Sequence, residues 1–164
     1  MKKYLASLVL GVCALVGVAS VQAAGAVEDA VKRGTLRVGM DPTYMPFEMT
    51  NKRGQIIGFE VDLLKAMAKS MGVKLELVST SYDGIIPALL SRKIDAIVSS
   101  MTITPKRAQH IAFTDRVSNA PSRLVVRRGS ALLPDAESLR GKRVGVGQGS
   151  NQEAYAKAEW AAKG

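Results

Sequence analysis

Strand-like and helix-like hydrophobic patterns alternate along this chain, and that alternation constrains its fold more than any other feature. Residues 35–40 alternate in the manner of a strand. Residues 59–71 carry apolar side chains at helical spacing up to Gly72, a typical residue at the end of a helix. Further strands are predicted at 74–78, 94–99, 124–126 and 143–146, and further helices at 82–91, from Pro105 and from Asn151.

Strands that alternate with helices are typical of βαβ units, so we predict an α/β fold with mostly parallel sheets. In such sheets, ligands bind beyond the carboxyl ends of the strands. The turns of interest therefore follow the predicted strands, at 41–47, 79–84, 99–107 and 147–152.

The first 23 residues have the pattern of a secretory signal peptide. Lys2 and Lys3 form a positive head, residues 4–21 carry no charge, and small residues precede a cleavage point after Ala23. The alternative is a membrane anchor, since an uncharged run of this length is borderline for crossing a bilayer. The single cysteine, Cys13, lies inside this segment, so we expect a mature periplasmic chain without a disulfide.

The chain is basic, with 23 Lys and Arg residues against 14 Asp and Glu residues and a formal net charge of +9. The basic residues are scattered along the chain in short clusters, such as those at 127–128 and 140–143. No aromatic residues alternate with them, as stacking on nucleic-acid bases would require. We therefore predict no nucleic-acid partner and interpret the charge as general surface chemistry.

The turn at 99–107 carries the most informative polar pattern. Four hydroxyl side chains crowd the end of a buried strand, and Arg107 follows in the first helical turn. A cation at a helix N-terminus is disfavoured by about 0.3–1 kcal/mol. A bound carboxylate, held by the guanidinium fork, would compensate for that cost. The alternative is a solvated arginine beside an ordinary Thr-Pro helix cap.

A second turn, at 145–151, is rich in glycine and leads into a helix. It lacks the third glycine of a dinucleotide-binding fingerprint and the Gly-Lys-Ser/Thr of a P-loop. Ser150 and Glu153 fit a capping box. The alternative is that this turn supplies further backbone N–H donors to the same anion.

Aromatic and acidic residues occupy the remaining post-strand turns. Tyr44 and Tyr82 either clamp a ligand or cap the core, while Asp41, Glu48 and Glu60 have no spacing that fixes a catalytic pair. The single histidine is interpreted as structural. The sequence contains no Ser-His-Asp order, HExxH motif or Cys-His pair, so we predict no catalytic residue, no metal site and no cofactor.

Six short segments follow one another in an order that identifies a family. They lie at 41–48 (DPTYMPFE), 58–62 (GFEVD), 84–89 (GIIPAL), 93–96 (KIDA), 101–107 (MTITPKR) and 113–115 (FTD). In this order they resemble the family 3 bacterial extracellular solute-binding proteins, the polar amino-acid receptors of ABC importers. Within that family the histidine and lysine/arginine/ornithine receptors are the most similar. The resemblance implies a two-lobed type II periplasmic-binding-protein-like fold, with the lobes joined by a hinge.

The resemblance also implies a ligand role for ten residues: Asp41, Tyr44, Glu60, Tyr82, Ser99, Ser100, Thr102, Arg107, Ser150 and Asn151. By this resemblance Arg107 grips the ligand α-carboxylate, with help from Thr102 and from the N–H groups at 150–151. The two serines line the ammonium and side-chain sites. The two tyrosines sandwich the ligand side chain, and the two acids face a cationic group on it.

The resemblance implies a monomeric receptor, not an enzyme, that delivers Lys, Arg, ornithine or His to an ABC permease. The alternatives are an enzyme on the same fold, such as a cyclohexadienyl dehydratase-like protein, or a ligand-sensing domain. We expect a signal peptide at 1–23, lobe one at 24–118, and an incomplete lobe two at 119–164. Because this division implies a C-terminally truncated protein, we expect weak binding or poor folding.

Overall fold

The structure is a computed structural model that describes residues 22–163. Its helices are α1 (Gln22–Arg33), α2 (Phe59–Met71), α3 (Ile85–Leu90), α4 (Pro105–Ala108), α5 (Ala136–Leu139) and α6 (Asn151–Tyr155), which continues as a π-helix over Ala156–Ala161. Its strands are β1 (Thr35–Met40), β2 (Thr43–Tyr44), β3 (Glu48–Thr50), β4 (Ile56–Ile57), β5 (Lys74–Ser79) and β6 (Ala96–Ile97). None of these helices is long and apolar enough to cross a membrane. The predicted signal segment lies outside the described residues, except for its last two, which begin α1.

Three parallel strands form the central sheet, in the order β5-β1-β6. β1 pairs with β5 along its whole length, from Thr35 opposite Lys74 to Met40 opposite Ser79. On its other side, β1 pairs with β6, with Val38 opposite Ala96. Helices α2 and α3 lie in the crossovers that parallel strands require. The predicted parallel sheet is confirmed.

The two elements with the strongest sequence patterns form as predicted. β1 covers the predicted residues 35–40 and α2 the predicted residues 59–71. Gly72 ends α2 in the left-handed conformation (φ 68°), and its N–H group donates to the carbonyl oxygens of Ala68 and Lys69. Glycine adopts this conformation without a steric penalty, which explains why it marks the helix end.

β1 is buried on both faces. Side chains from α1, β1 and α2 form the core on one face: Ala30, Leu36, Val38, Met40, Val61 and Leu64. On the other face, Gly39 packs against Ile85 and Ile94, and a Cβ atom at Gly39 would lie only 3.2 Å from Ile85 Cγ1. The sheet is thus covered on both sides, as expected of a parallel sheet.

Asp95, whose side chain is only 7% exposed, ties the start of β6 to β1. Asp95 Oδ2 accepts hydrogen bonds from Arg37 N at 2.9 Å and Arg33 Nη2 at 2.5 Å, and Oδ1 accepts one from Arg37 Nη2 at 2.8 Å. Burial alone would raise the pKa of Asp95, but the hydrogen bonds from Arg37 and Arg33 outweigh it and hold the pKa below its ordinary value of 3.8.

A small antiparallel sheet, β2-β3-β4, follows β1 and was not predicted. Thr43 pairs with Met49, and Met49 pairs with Ile57. These strands have only two or three residues each, too few for a period to be read from sequence. The sheet nevertheless matters, because it places Tyr44 opposite Glu48 beside the end of β1.

Several predicted elements are absent or shorter than predicted. The predicted strands at 124–126 and 143–146 are wrong: their backbones join no ladder within the described residues. A strand is defined by its partner, and a short apolar run does not show whether one exists. The predicted strand at 94–99 contributes only Ala96–Ile97 to the sheet. The predicted helix at 82–91 begins only at Ile85. The residues before it form a turn, in which the Gly84 N–H group donates to Ser81 O at 3.0 Å.

Candidate functional site

The candidate site lies where the sequence predicted it, beyond the carboxyl ends of the parallel strands. The turns after β1, β5 and β6 meet there, and the glycine-rich turn before α6 approaches them. Parallel strands place their carboxyl ends at one edge of the sheet, so residues distant in sequence become neighbours. The site is therefore built from four separate turns.

A chain of hydrogen bonds links the ends of β1, β3 and β6. The Asp41 N–H group donates to Ser99 Oγ at 3.0 Å, and the Ser99 hydroxyl donates to Glu48 Oε1 at 2.6 Å. Ser99 and Glu48 are buried, with 3% and 1% of their surfaces exposed. The second carboxyl oxygen of Glu48 has no hydrogen-bond partner. Glu48 thus fixes Ser99, a residue for which the family resemblance implies a ligand role.

The environment of Glu48 favours its neutral form. Burial raises its pKa to about 8, and the neighbouring Glu60 and Asp41 carboxyl groups add to the rise, while the hydrogen bond from Ser99 opposes it. Sequence reasoning noted Glu48 as an acid but did not include it in the site. The signal that identifies it is an acid at the end of the 41–48 segment, where β3 begins and pairs with β2.

A second buried acid, Glu60, holds the turn after β6. Its Oε1 atom accepts hydrogen bonds from Ser100 N at 2.9 Å and Ser100 Oγ at 3.0 Å, and its Oε2 atom has no partner. Ser100 has a φ of 45°, a conformation that non-glycine residues rarely adopt. The Glu60 carboxyl group offsets part of that strain by accepting from both polar groups of Ser100.

Asp41 organises the turn after β5. Its Oδ2 atom accepts a hydrogen bond from Tyr82 N at 3.1 Å, and its Oδ1 atom accepts one from the Thr43 hydroxyl at 2.8 Å. The predicted proximity of Asp41, Tyr82 and Ser99 is therefore present in the structure. A ligand in this corner of the site would meet an acid that is already oriented.

Arg107 lies over the Tyr82 ring, with its guanidinium carbon 5.6 Å from the ring centroid. This distance is within the range of a cation–π interaction. Burial raises the pKa of Tyr82, while the positive charge of Arg107 opposes that rise. Tyr44, the other predicted clamp residue, is 48% exposed and stacks on Phe47 at a centroid distance of 5.5 Å.

The guanidinium group of Arg107 joins two turns. Its Nη1 atom donates to Thr102 O at 2.7 Å, and its Nη2 atom donates to Gly149 O at 3.0 Å. Thr104 caps α4, as predicted, by accepting from Arg107 N at 3.2 Å. The carbonyl oxygens of Thr102 and Gly149 thus offset the charge of Arg107 at the helix N-terminus, a role predicted from the sequence for a bound carboxylate. A guanidinium group has five N–H donors, so further donors remain for a ligand.

The glycine-rich turn forms the predicted capping box, with one difference. Ser150 Oγ accepts from Glu153 N at 3.0 Å, but the Glu153 carboxylate accepts from Gly149 N at 2.7 Å rather than from the cap residue. Thr102 Oγ1 lies 3.2 Å from Asn151 Oδ1, which connects this turn to the one after β6. The N-cap role of Ser150 is thus confirmed, whereas Glu153 bonds Gly149 in place of the cap residue.

The predicted site residues therefore lie together in one place. Their hydrogen bonds, the Arg107–Tyr82 contact and the pairing of Tyr44 with Glu48 connect the four turns. Within residues 22–163 no group of three His, Cys, Asp or Glu side chains could hold a metal ion. The site offers one guanidinium group and several carboxyl groups, an arrangement that can bind a molecule carrying both an anionic and a cationic group.

The amino-acid sequence of the chain is similar to that of known proteins. Residues 36–161 match the model of the bacterial extracellular solute-binding proteins, family 3. The histidine-binding periplasmic protein of Escherichia coli (strain K12) is 50% identical over 129 residues, which cover 79% of this chain and 50% of that protein. The lysine/arginine/ornithine-binding periplasmic protein of the same strain is 49% identical over 130 residues, with the same coverages. The chain spans about half the length of the curated relatives it matches.

Solved structures resemble the chain as well. The arginine-bound form of truncated ArgBP from T. maritima has a TM-score of 0.75 and 40% identity, covering 80% of this chain and 62% of that one. The arginine-bound form of domain 1 from TmArgBP has a TM-score of 0.52 and 46% identity, covering 53% of this chain and 69% of that one. The predicted periplasmic-binding-protein-like α/β fold is confirmed.

Proposed function

The chain belongs to the family 3 bacterial extracellular solute-binding proteins, and we propose that it captures a basic amino acid: arginine, lysine, ornithine or histidine. The observation that carries this proposal is the polarity of the site. Tyr82 lies between two opposite charges, with Arg107 over its ring and the Asp41 carboxyl group on its N–H. A basic amino acid has the matching arrangement, with a carboxylate at one end and a cation at the other.

In this proposal Arg107 binds the α-carboxylate of the ligand. A guanidinium fork binds a carboxylate through two parallel charge-assisted hydrogen bonds. Thr102 lies beside Arg107 and connects to Asn151, so both side chains are placed to contact the same carboxylate. Ser150 and Asn151, whose N–H groups are proposed to bind the same carboxylate, directly follow Gly149, whose carbonyl oxygen accepts from Arg107.

The rest of the ligand would contact residues at the ends of β1 and β6. Asp41 and Glu60 face the cationic side-chain group. Beside them, the Ser99 hydroxyl accepts from the Asp41 N–H group and the Ser100 hydroxyl donates to Glu60. The rings of the two tyrosines enclose the apolar part of the ligand. Relatives named for binding histidine, or lysine, arginine and ornithine, support this class of ligand.

Most of this surface lies in the first part of the chain. Eight of the ten proposed ligand residues fall between Asp41 and Arg107. Domain 1 of a T. maritima arginine-binding protein has an arginine-bound form by itself. That supports measurable binding by a chain half as long as its relatives. We assign 24–118 to lobe one and 119–164 to part of lobe two, with Arg107 and Gly149 bridging the two.

We further propose that the protein acts in the periplasm as a monomer after removal of residues 1–23, and that it delivers its ligand to the permease of an ABC importer. The periplasmic names of its relatives support this location. The same names describe binding proteins, which supports a role in binding rather than catalysis. A membrane-reconstituted transport assay with the cognate permease is the direct test of that partner.

Titration calorimetry of the chain with L-arginine, and with L-glutamine for comparison, tests the proposed function. We expect one ligand per chain and weaker binding of glutamine, which lacks the cationic group. Arg107→Ala should weaken arginine binding by ~30-fold or more, because truncating one partner of a hydrogen-bonded charge pair costs about 2–5 kcal/mol. Arg128→Ala, at an exposed arginine, is the matched control. Equal affinity in both variants, with unchanged circular dichroism, would refute the assigned grip.

A further inference from the structure

Glu48 is a buried titratable group to which the proposed function assigns no role. Only 1% of its surface is exposed, one carboxyl oxygen accepts from Ser99, and the other has no partner. Burial of a carboxyl group without full hydrogen bonding is costly, and a fold retains it only where something compensates. Glu48 is one hydrogen bond away from Ser99, which is a proposed ligand residue.

The groups that face Glu48 come from several elements. Glu60, on α2, and Asp41, at the end of β1, act on it through the repulsion of their carboxyl groups. Tyr82, in the turn after β5, is also within electrostatic range, and Arg107 lies over that tyrosine. Two buried carboxyl groups, Glu48 and Glu60, and the half-buried one of Asp41 therefore interact electrostatically, and Arg107 adjoins Tyr82.

We propose that Glu48 is a positioning residue that loses its proton to solvent when a cationic amino acid binds, and thereby contributes to the preference for basic ligands. The inference rests on the proposed function. In the free protein the carboxyl group carries the proton. When the ligand cation arrives between Asp41 and Glu60, the Glu48 O–H bond breaks and the proton passes to water or buffer. The Ser99 hydroxyl continues to donate to Glu48 Oε1, so its orientation is kept.

The physical reason is charge balance. Burial is the largest cause of the raised pKa of Glu48, and repulsion from the Glu60 and Asp41 carboxyl groups adds to it. A bound cation offsets that repulsion and favours the charged form of Glu48. A pKa of about 8 in the free protein leaves Glu48 mostly protonated at pH 7. A cation that lowers this pKa must itself bind more tightly as the pH rises, by up to about tenfold per pH unit when one proton is released.

Calorimetry with L-arginine at pH 7, in phosphate and in Tris, measures the proton count, because the two buffers take up protons with different enthalpies. We expect net proton release on binding, up to one proton per arginine bound. Glu48→Gln, which can still accept from Ser99, should release none. Glu76→Gln, at an exposed glutamate of β5, should behave as the parent chain. A purely structural role of Glu48 would change the affinity but not the proton count.

A second measurement covers the case in which Glu48→Gln folds poorly. Carbon-13 NMR of the glutamate carboxyl groups in the free parent chain should show one resonance that titrates near pH 8. If every glutamate titrates below pH 6, or if arginine binds without proton release, the inference is refuted while the proposed function stands. If arginine does not bind to the parent chain, the proposed function is refuted, and the inference with it.

Discussion

Replacement of Gly149 by alanine tests the approach of the glycine-rich turn to the rest of the site. Gly149 has a φ of 75°, and a Cβ atom there would lie 3.0 Å from Asp83 Cα and 3.1 Å from Asp83 Cβ. Carbon atoms prefer separations of about 3.5–4.0 Å, so the turn would have to move away. That movement would also pull Gly149 O away from Arg107 Nη2.

Two contributions set the magnitude of the effect. An alanine in the left-handed conformation costs about 1–2 kcal/mol. Forcing a methyl group against packed backbone costs about 1–3 kcal/mol more. We therefore expect Gly149→Ala to lower the free energy of unfolding by about 2–5 kcal/mol.

Gly141→Ala is the matched control, since Gly141 has a similar φ of 69° but no atom within 4 Å of the added Cβ. It should lower the free energy of unfolding by only about 1–2 kcal/mol. Urea unfolding, followed by the fluorescence of the single tryptophan, Trp160, and by circular dichroism, measures both values. If the two variants agree within about 0.5 kcal/mol, below the packing cost assigned here, the close approach of Gly149 to Asp83 does not exist in solution.

Two further predictions concern stability. Asp95→Asn should make the free energy of unfolding less dependent on pH, because the lowered pKa of Asp95 gives a stabilisation that is present above pH 3.8 and lost as the pH falls through the folded value. Acid titrations that are identical in parent and variant would contradict this. Ser150→Ala should cost about 1 kcal/mol through loss of the α6 cap, whereas Ser150→Thr should retain most of it. Equal losses in the two variants of Ser150, by urea unfolding, would contradict the capping role.

The sequence predicted the long periodic segments well and the pairing of short strands poorly. β1 and α2 were predicted at their observed bounds, because six and thirteen residues provide a clear period and Gly72 ends the helix. The predicted strands at 124–126 and 143–146 failed, because pairing depends on a partner that a local pattern does not contain. A segment forms a strand only when a second segment pairs with it, and the sequence of one segment does not show whether such a partner exists.

The meeting of these turns at one edge of the sheet was predictable, but the hydrogen bonds among them were not. Parallel strands bring their carboxyl ends to one edge, so the turns after β1, β5 and β6 had to meet. Spacing could not show that Glu48 lies beneath Ser99, since fifty-one residues separate them and their contact depends on the short sheet at β3. Nor could spacing show that the carbonyl oxygen of Gly149 accepts a hydrogen bond from Arg107 Nη2.

The order of strands in the central sheet has a consequence for how the chain acquires its structure during synthesis. Of the strands within residues 22–163, β1 is the first to be made, yet it lies in the middle of its sheet, and its partners begin at Lys74 and Ala96. No hydrogen bond of that sheet can form until the ribosome has made about forty residues beyond the start of β1. Pairing on both sides of β1 requires about sixty residues beyond that point. Such non-local pairing slows folding. For a chain with an export signal as predicted, slow folding leaves time for the polypeptide to cross the membrane while it is still extended.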